Sequence, residues 1–198
     1  MKKVAITGGL SSGKSIVCDI LSQLGAYVVS ADQIVHQVLL HDESVHQKIV
    51  DLLGFDVLSN HHLDRDKIAK KVFSNPEKLT SLEKIIHPSV FHEIQQQYEK
   101  HEHDPRYKLF VAEVPLLYEA QAENLFDVVV AVVAEDAFCK KRFMQKTGRS
   151  EEEYAARVDR QLSIEDKAKK ADVVLTNNGS IEDLQKQINQ WFPTICST

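Results

Sequence analysis

Residues 8–15 read Gly8-Gly9-Leu10-Ser11-Ser12-Gly13-Lys14-Ser15, and this segment is the strongest structural signal in the chain. It matches the pattern G-x-x-x-x-G-K-[ST], in which the main-chain N–H groups of a glycine-rich loop surround phosphate oxygens. The apolar residues 4–6 precede it and predict a strand, while the spacing of Ile16, Val17, Ile20, Leu21 and Leu24 after it predicts a helix with one buried face. A strand, a phosphate-binding loop and a helix in this order indicate a nucleoside triphosphate site.

Each residue type in this loop has a physical role. Gly8 and Gly13 allow the backbone to curl, so that successive N–H groups point at phosphate oxygens. Lys14 reaches the β- and γ-phosphates and is a predicted catalytic residue, while the Ser15 hydroxyl is suited to bind Mg²⁺. The predicted ATP-binding residues are Gly8, Gly9, Ser11, Ser12, Gly13, Lys14, Ser15 and Ile16.

The chain alternates strands with helices on both sides of a long polar segment. Four further strands are predicted at residues 27–29, 109–112, 128–133 and 173–175, and the runs that are apolar on both faces suit a parallel sheet. Residues 31–97 predict a helical insertion, residues 135–171 are charged and helical, and a last amphipathic helix carries Ile181, Leu184, Ile188 and Trp191. This order predicts an α/β, P-loop NTPase-like three-layer core with a five-stranded parallel sheet.

Composition and charge limit the classes of protein. The chain has 198 residues, of which 43% are hydrophobic and 27% charged, which suits one globular domain and not a disordered chain. The net charge is −5, from 24 basic and 29 acidic residues, so nucleic-acid binding is not expected. Three widely separated cysteines and the lack of a membrane-length apolar run predict a cytoplasmic protein that does not bind membranes.

The remaining motifs separate a kinase from a switch GTPase. No guanine-binding Asn-Lys-x-Asp segment is present, and Asp51-Leu52-Leu53-Gly54 ends a helical pattern, with Gly54 as a helix C-cap. Asp32 follows the second strand at the edge where α/β sheets bind ligands, so it is either an acceptor-side base or an ordinary helix N-terminal acid. A basic helical segment contains Lys140, Lys141, Arg142, Lys146, Arg149, Arg157 and Arg160, which form either a lid over phosphates or a solvated face.

Seven segments in order resemble the dephospho-coenzyme A kinase family over essentially the whole chain. They are the loop from Thr7 to Ser15, Ser30-Ala31-Asp32, Leu63-Asp64-Arg65, Ile86-His87-Pro88, Val114-Pro115-Leu116-Leu117-Tyr118-Glu119, Lys141-Arg142 before Gly148, and Asn177-Asn178-Gly179-Ser180. The resemblance implies ATP- and Mg²⁺-dependent phosphorylation of the ribose 3′-hydroxyl of dephospho-CoA, with ATP and dephospho-CoA as the small-molecule partners. The alternatives are a nucleoside or nucleoside-monophosphate kinase, and a nucleotide-dependent regulatory module without catalysis.

The resemblance also implies roles for individual residues. Asp32 takes the acceptor-side catalytic position, Arg142 a basic lid position that stabilises the transferred phosphoryl group, and Arg65 and His87 join Asp32 in binding substrate. Ser15 binds Mg²⁺ and Glu113 holds a Mg²⁺-bound water. The chain departs from the family pattern at Ser30 and Glu113, where Asp is usual, at Lys146, where Arg is common, and at Ile16, where Thr is frequent.

These observations predict how the chain is divided. We expect a single kinase domain over 1–198, with a core of residues 1–30, 104–137 and 166–198, a helical acceptor region of residues 31–103 and a lid of residues 138–165. We expect a monomer, with an oligomer as the alternative.

Overall fold

The computed structural model describes residues 1–73 and 75–196 of the chain. These residues form two compact units. The first contains Met1–Ser30 and the chain from Tyr98 onward, and the second contains Ala31–Gln97.

A five-stranded parallel sheet forms the centre of the first unit. Its strands are β1 (Lys2–Gly8), β2 (Ala26–Ser30), β5 (Leu109–Glu113), β6 (Val128–Val133) and β7 (Val173–Thr176), in the spatial order β2-β5-β1-β6-β7. All five strands expected from the sequence are present, so the predicted α/β class and the parallel sheet are confirmed. The central strand β1 is the one that leads into the phosphate-binding loop.

The helices of the first unit cover both faces of this sheet. They are α1 (Lys14–Gln23), α6 (Asp136–Thr147), α7 (Glu151–Val158), α8 (Ile164–Lys170) and α9 (Ile181–Cys196). One face is packed by α1 and α9, which bury Val4, Ile6, Leu21, Leu184 and Ile188 in one apolar cluster. The other face carries Thr7 and Phe110. On this side, the buried Lys167 of α8 donates to the main-chain oxygen of Pro115, and the Tyr98 ring packs edge-on against Phe110. The predicted three-layer core is therefore confirmed.

The second unit is mainly helical. It contains α2 (Ala31–His41), α3 (Glu43–Leu53), α4 (Arg65–Phe73) and α5 (Pro76–His101), whose last turn belongs to the first unit. A short antiparallel hairpin, β3 (Leu58–Ser59) and β4 (His62–Leu63), lies between α3 and α4. No described residue of this segment belongs to the parallel sheet, and Asn60 and His61 form the hairpin turn with positive φ angles of 51° and 65°.

Local sequence signals set several helix ends. Asp42 caps α3 by accepting a hydrogen bond from the Val45 N–H, and Gly54 ends that helix, as expected, with φ 88°. Serine caps begin the three helices at the C-terminal side: Ser150 forms a full capping box with Glu153, and Ser163 and Ser180 accept from Asp166 and Asp183. Within the described ranges, no helix has the length and apolar character needed to cross a membrane.

Candidate active site

The phosphate-binding loop has a backbone that its glycines make possible. Gly8 and Gly13 have φ angles of 141° and 103°, and Ser11 also adopts a left-handed conformation at φ 57°. A side chain at Gly8 would place its Cβ 2.1 Å from the main-chain oxygen of Val132, so the loop packs directly on the end of β6. The sequence motif is therefore folded as a tight loop at the carboxyl edge of the sheet.

The N-terminus of α1 is open to an anion. Gly13 is the N-cap residue, no side chain caps the helix, and no acidic residue lies in its first turn. By contrast, Asp42, Ser150 and Ser163 cap other helices with side-chain oxygens. The exposed N–H groups and the positive end of the helix dipole favour a phosphate at the start of α1.

Lys14 packs against the phosphate-binding loop. Its side chain is largely buried, and its ammonium donates hydrogen bonds to the main-chain oxygens of Gly8, at 3.4 Å, and Gly9, at 2.8 Å. These contacts hold the positive charge at the mouth of the loop. Lys14 is thus positioned to contact phosphate oxygens bound there.

Ser15 and Glu113 form the oxygen pair beside this loop. The Ser15 hydroxyl donates to Glu113 Oε1 at 3.1 Å, and Glu113, the last residue of β5, is in register with Ser30 of β2. Mg²⁺ prefers oxygen ligands and commonly uses only one or two protein groups, together with waters and substrate phosphates. A hydroxyl and a carboxylate at this position fit such an ion. The described residues include no cluster of three or more His, Cys, Asp or Glu side chains suited to a metal.

The helices of the predicted lid, α6 and α7, pack on the phosphate loop through apolar contacts. Cys139, Phe143 and Tyr154 of α6 and α7 form a small buried cluster, and Leu10 from the loop packs against it. Burial and the hydrogen bond to Asp136 raise the pKa of Tyr154, so its hydroxyl stays protonated and donates at 2.7 Å. A Cβ atom built on Gly9 would lie 3.6 Å from Cδ1 of Ile164, so this side chain is also close to the loop.

Arg142, in the predicted lid, is connected to the phosphate loop through Asn177. Its Nη2 donates to the main-chain oxygen of Asn177 at 3.0 Å, and its other terminal nitrogen, Nη1, is buried without a hydrogen-bond partner among the described residues. Lys140 and Arg149 form ion pairs with Glu151, at 2.6 Å, and Glu153, at 3.1 Å. The pairing with Glu151 raises the pKa of Lys140. Arg157 lies over the Phe143 ring at 5.7 Å, and burial lowers its pKa.

Asn177 joins the loop to Arg142, and sequence reasoning did not assign it a role. It is 4% exposed, and its side-chain Nδ2 donates to the main-chain oxygen of Ser12 at 2.8 Å. The next residue, Asn178, bonds instead with the N–H and carboxylate of Glu135. The segment Asn177-Asn178 was among the family-like stretches, but nothing in its composition indicated which contacts each amide makes.

Sequence reasoning also missed a buried ion pair behind the loop. Lys167 is fully buried, and its ammonium contacts Glu119 Oε1 at 2.8 Å and the main-chain oxygen of Pro115 at 2.9 Å. Thr7 donates to the same Pro115 oxygen at 3.3 Å. This pair fixes the segment that follows β5, although Lys167 lies among charged residues that resemble a solvated helix face.

The other predicted substrate-side residues lie in the second unit. Asp32 is exposed in the first turn of α2, and His36, one turn later on the same face, lies 3.4 Å from Arg65 Nη1. His87 is half-buried inside α5, just before Pro88, and burial lowers its pKa. Asp32 and Arg65 thus belong to adjoining surfaces of α2 and α4.

The structure therefore assembles part of the predicted site in the first unit. Gly8, Gly9, Ser11, Ser12, Gly13, Lys14 and Ser15 meet Glu113 at the end of β5, and Arg142 joins them through Asn177. Ile16 follows on α1, where its side chain is 37% exposed. Asp32, Arg65 and His87 lie on α2, α4 and α5 of the second unit. Their roles remain predictions.

Comparison with known proteins gives a consistent result over nearly the whole chain. A family model for dephospho-CoA kinase matches residues 2–183. A dephospho-CoA kinase of Protochlamydia amoebophila is 48% identical, covering 97% of this chain and 95% of its own. That of Chlamydia pneumoniae is 46% identical, covering 96% and 94%.

Solved structures share the fold. A Thermus thermophilus protein superposes with a TM-score of 0.82 at 31% identity, covering 97% of this chain and 96% of its own. A dephospho-CoA kinase from Campylobacter jejuni gives a TM-score of 0.71 at 29% identity, covering 98% and 96%. The similarity extends over both the sheet and the helical segments.

Proposed function

The chain belongs to the dephospho-CoA kinase family, and from that premise we propose how its residues perform the reaction. The enzyme transfers the γ-phosphoryl group of ATP to the ribose 3′-hydroxyl of dephospho-CoA, giving coenzyme A and ADP, the last step of CoA biosynthesis. The observation that best supports a nucleotide site in this chain is the open N-terminus of α1, which follows the glycine-rich loop without a capping side chain.

We assign ATP binding to the loop and the start of α1. The N–H groups between Gly8 and Ser15 donate to phosphate oxygens, and Lys14 turns its ammonium from the oxygens of Gly8 and Gly9 to the phosphate chain. Because these donors are held by the fold before ATP arrives, little reorganisation is needed to neutralise the phosphates.

We assign the Mg²⁺ site to Ser15 and Glu113. The ion, when bound with ATP, would reduce the negative charge on the β- and γ-phosphates. Ser15 would contribute its hydroxyl oxygen, and Glu113, which accepts a hydrogen bond from that hydroxyl, would orient it and hold water. Glu113 stands where the family commonly has Asp, and its longer side chain still reaches Ser15.

We assign the acceptor side to Asp32, with Arg65 and His87 binding substrate. In the transfer, the 3′-oxygen forms a bond to the γ-phosphorus, the bond from that phosphorus to the ADP oxygen breaks, and Asp32 accepts the proton of the 3′-hydroxyl. Asp32 follows Ser30 by two residues, and Ser30 ends the strand next to Glu113. Asp32 is the second residue of α2 and carries the carboxylate that we assign as the proton acceptor.

We assign the lid role to Arg142. Its Nη1 donor is buried and makes no hydrogen bond to the described residues, so it is suited to contact the transferred phosphoryl group. Lys140 and Arg149 pair with glutamates on the surface, which favours Arg142 over them for that contact. Direct in-line transfer then requires no phosphorylated enzyme intermediate.

A substrate panel tests this function against the nucleoside-kinase alternative. The purified protein, with ATP and Mg²⁺, should convert dephospho-CoA much faster than AMP or adenosine, as measured by ADP release. Faster transfer to AMP or adenosine would contradict the proposal. ADP release that is the same with and without an acceptor would instead support a regulatory nucleotide-binding module.

We further propose a cytoplasmic monomer with one catalytic domain. We divide this domain into a core, an acceptor region and a lid according to the roles proposed for their residues. The second unit, Ala31–Gln97, lies within the proposed acceptor region of residues 31–103. Three free cysteines, two of them buried, support a reducing compartment. Size-exclusion chromatography with light scattering tests the oligomeric state.

A further inference from the structure

Asn177 makes two main contacts that converge on the nucleotide site. Its side-chain amide donates to the main-chain oxygen of Ser12 at 2.8 Å, and its main-chain oxygen accepts from Arg142 Nη2 at 3.0 Å. Its own N–H donates to Val133, the last residue of β6, at 2.8 Å. One buried residue is thus held by the sheet, and it contacts both the phosphate loop and the basic residue of the lid.

The contact to Ser12 fixes the orientation of a phosphate-binding N–H group. The Ser12 oxygen and the Gly13 nitrogen belong to the same peptide plane, and no described peptide bond is cis. In a trans peptide the C=O and N–H vectors point in opposite directions, so holding the Ser12 oxygen toward Asn177 turns the Gly13 N–H away from it. The Asn177 amide therefore leaves the Gly13 N–H free of the side on which Asn177 lies.

The space next to Gly13 is filled by the same amide. A Cβ on Gly13 would lie 2.1 Å from Asn177 Nδ2, so the absence of a side chain at Gly13 lets the amide reach the Ser12 oxygen. Gly13 also has a φ angle of 103°, which glycine adopts without strain. Gly13 therefore has two roles: it adopts the positive φ angle of the turn, and it leaves the space that the Asn177 amide occupies.

We infer that Asn177 is a positioning residue, which sets the direction of the Gly13 N–H and the place of the Arg142 guanidinium for the same phosphate chain. It contacts no substrate atom itself and acts through the two groups that do. The inference rests on the proposed function, because it takes the loop to hold nucleotide phosphates. The inference gives the two adjacent asparagines different roles. Asn177 positions the loop and Arg142, whereas Asn178 contacts Glu135 and not the loop.

The test compares Asn177→Ala with Asn178→Ala. The adjacent asparagine is the matched control, because its amide is also hydrogen-bonded but touches neither Ser12 nor Arg142. Isothermal titration with the non-hydrolysable analogue AMP-PNP and Mg²⁺ should show binding weakened about 10- to 100-fold by Asn177→Ala, the effect expected for leaving a buried acceptor unpaired. Asn178→Ala should stay within about twofold of the parent protein.

Steady-state kinetics separate positioning from a general loss of structure. Asn177→Ala should lower kcat/KM for ATP while KM for dephospho-CoA remains unchanged. In a protein labelled with ¹⁵N, the Gly13 amide resonance should shift on adding ADP in the parent and much less in Asn177→Ala. Should the alanine variant be unfolded at the assay temperature, Asn177→Ser, which keeps a small polar side chain too short for the Ser12 oxygen, carries the same comparisons.

A double-mutant cycle tests the connection to Arg142. Alanine at position 177 keeps the main-chain oxygen that binds Arg142, but it removes the side-chain bond to Ser12 that helps to hold residue 177 in place. If Asn177 acts partly through Arg142, the loss caused by Asn177→Ala will therefore be smaller in an Arg142→Ala background than in the parent. Fully additive losses, AMP-PNP affinity within twofold of the parent in Asn177→Ala, or an equal loss in Asn178→Ala would each overturn the inference. Failure of the parent to form CoA would contradict the proposed function alone, because the binding and resonance measurements do not depend on the acceptor.

Discussion

The hydroxyl of Ser15 donates a hydrogen bond to Glu113 Oε1 at 3.1 Å, joining the first turn of α1 to the last residue of β5. The two residues are far apart in the sequence and are brought together because β5 lies next to β1 in the parallel sheet. Their oxygens bring a hydroxyl and a carboxylate into contact beside the phosphate loop.

Glu113→Ala should reduce activity by about 10- to 100-fold, as is typical when the partner of a metal-binding group is removed. The half-saturating Mg²⁺ concentration should rise, because Ser15 loses the carboxylate that orients it. Initial rates over a Mg²⁺ titration measure both effects. Glu113→Asp, which restores the acid common in the family, should recover most of the rate, and the exposed Glu182→Ala on α9 should behave like the parent. An unchanged Mg²⁺ dependence in Glu113→Ala would exclude Glu113 from the metal site.

Asp32→Asn should lower kcat by about 10²- to 10⁴-fold, the usual contribution of a general base. The KM for ATP should change little, since Asp32 is assigned to the acceptor and not to the nucleotide. Steady-state kinetics with each substrate varied in turn measure this separation. Asp51→Asn, an exposed aspartate of α3, is the matched control. A parent-like kcat in Asp32→Asn would remove Asp32 from the mechanism.

Lys167→Met should lower the free energy of unfolding by about 3 to 5 kcal/mol, because it leaves the Glu119 carboxylate without its buried partner. Chemical denaturation gives this value. Lys169→Met changes an exposed lysine on the same helix and should cost little. Adding Glu119→Gln to Lys167→Met should recover part of the loss, and a loss no larger than that of Lys169→Met would show that the pair does not stabilise the fold.

His87 should make the protein less stable as the pH falls below about 6.5, the ordinary pKa of histidine. Burial lowers the folded-state pKa of His87, so the unfolded chain binds the proton more readily than the folded one in this range. Stability therefore rises with pH through this window and is complete above it. Melting temperatures at pH 5.5 and 7.5 should differ less in His87→Gln than in the parent or in the exposed control His62→Gln. Equal pH dependence in all three proteins would contradict the assignment.

Much of the fold follows from local sequence signals. The apolar runs of β1 and β6 are buried on both faces of a parallel sheet, and alternation with amphipathic helices such as α9 leaves few other arrangements. The loop from Gly8 to Ser15 could be recognised because its chemistry depends on residues adjacent in the chain. Its conformation and its contact with the end of β6 agree with that expectation.

The contacts of Asn177 and Lys167 could not be predicted in the same way. Lys167 is followed by Lys169 and Lys170 on a short charged helix, and only the packing of α8 on the sheet buries its side chain. Asn177 and Asn178 are chemically identical, yet strand geometry turns one toward Ser12 and the other toward Glu135. Such assignments depend on tertiary neighbours far away in sequence, which periodicity and motif spacing do not specify.

Formation of coenzyme A by the purified protein is the decisive measurement of the proposed activity. With ATP, Mg²⁺ and dephospho-CoA, mass spectrometry and ³¹P NMR should detect CoA phosphorylated at the ribose 3′ position, together with an equal amount of ADP. Omitting dephospho-CoA should abolish ADP release. No CoA above a control without enzyme, or a phosphate at another position, would contradict the account.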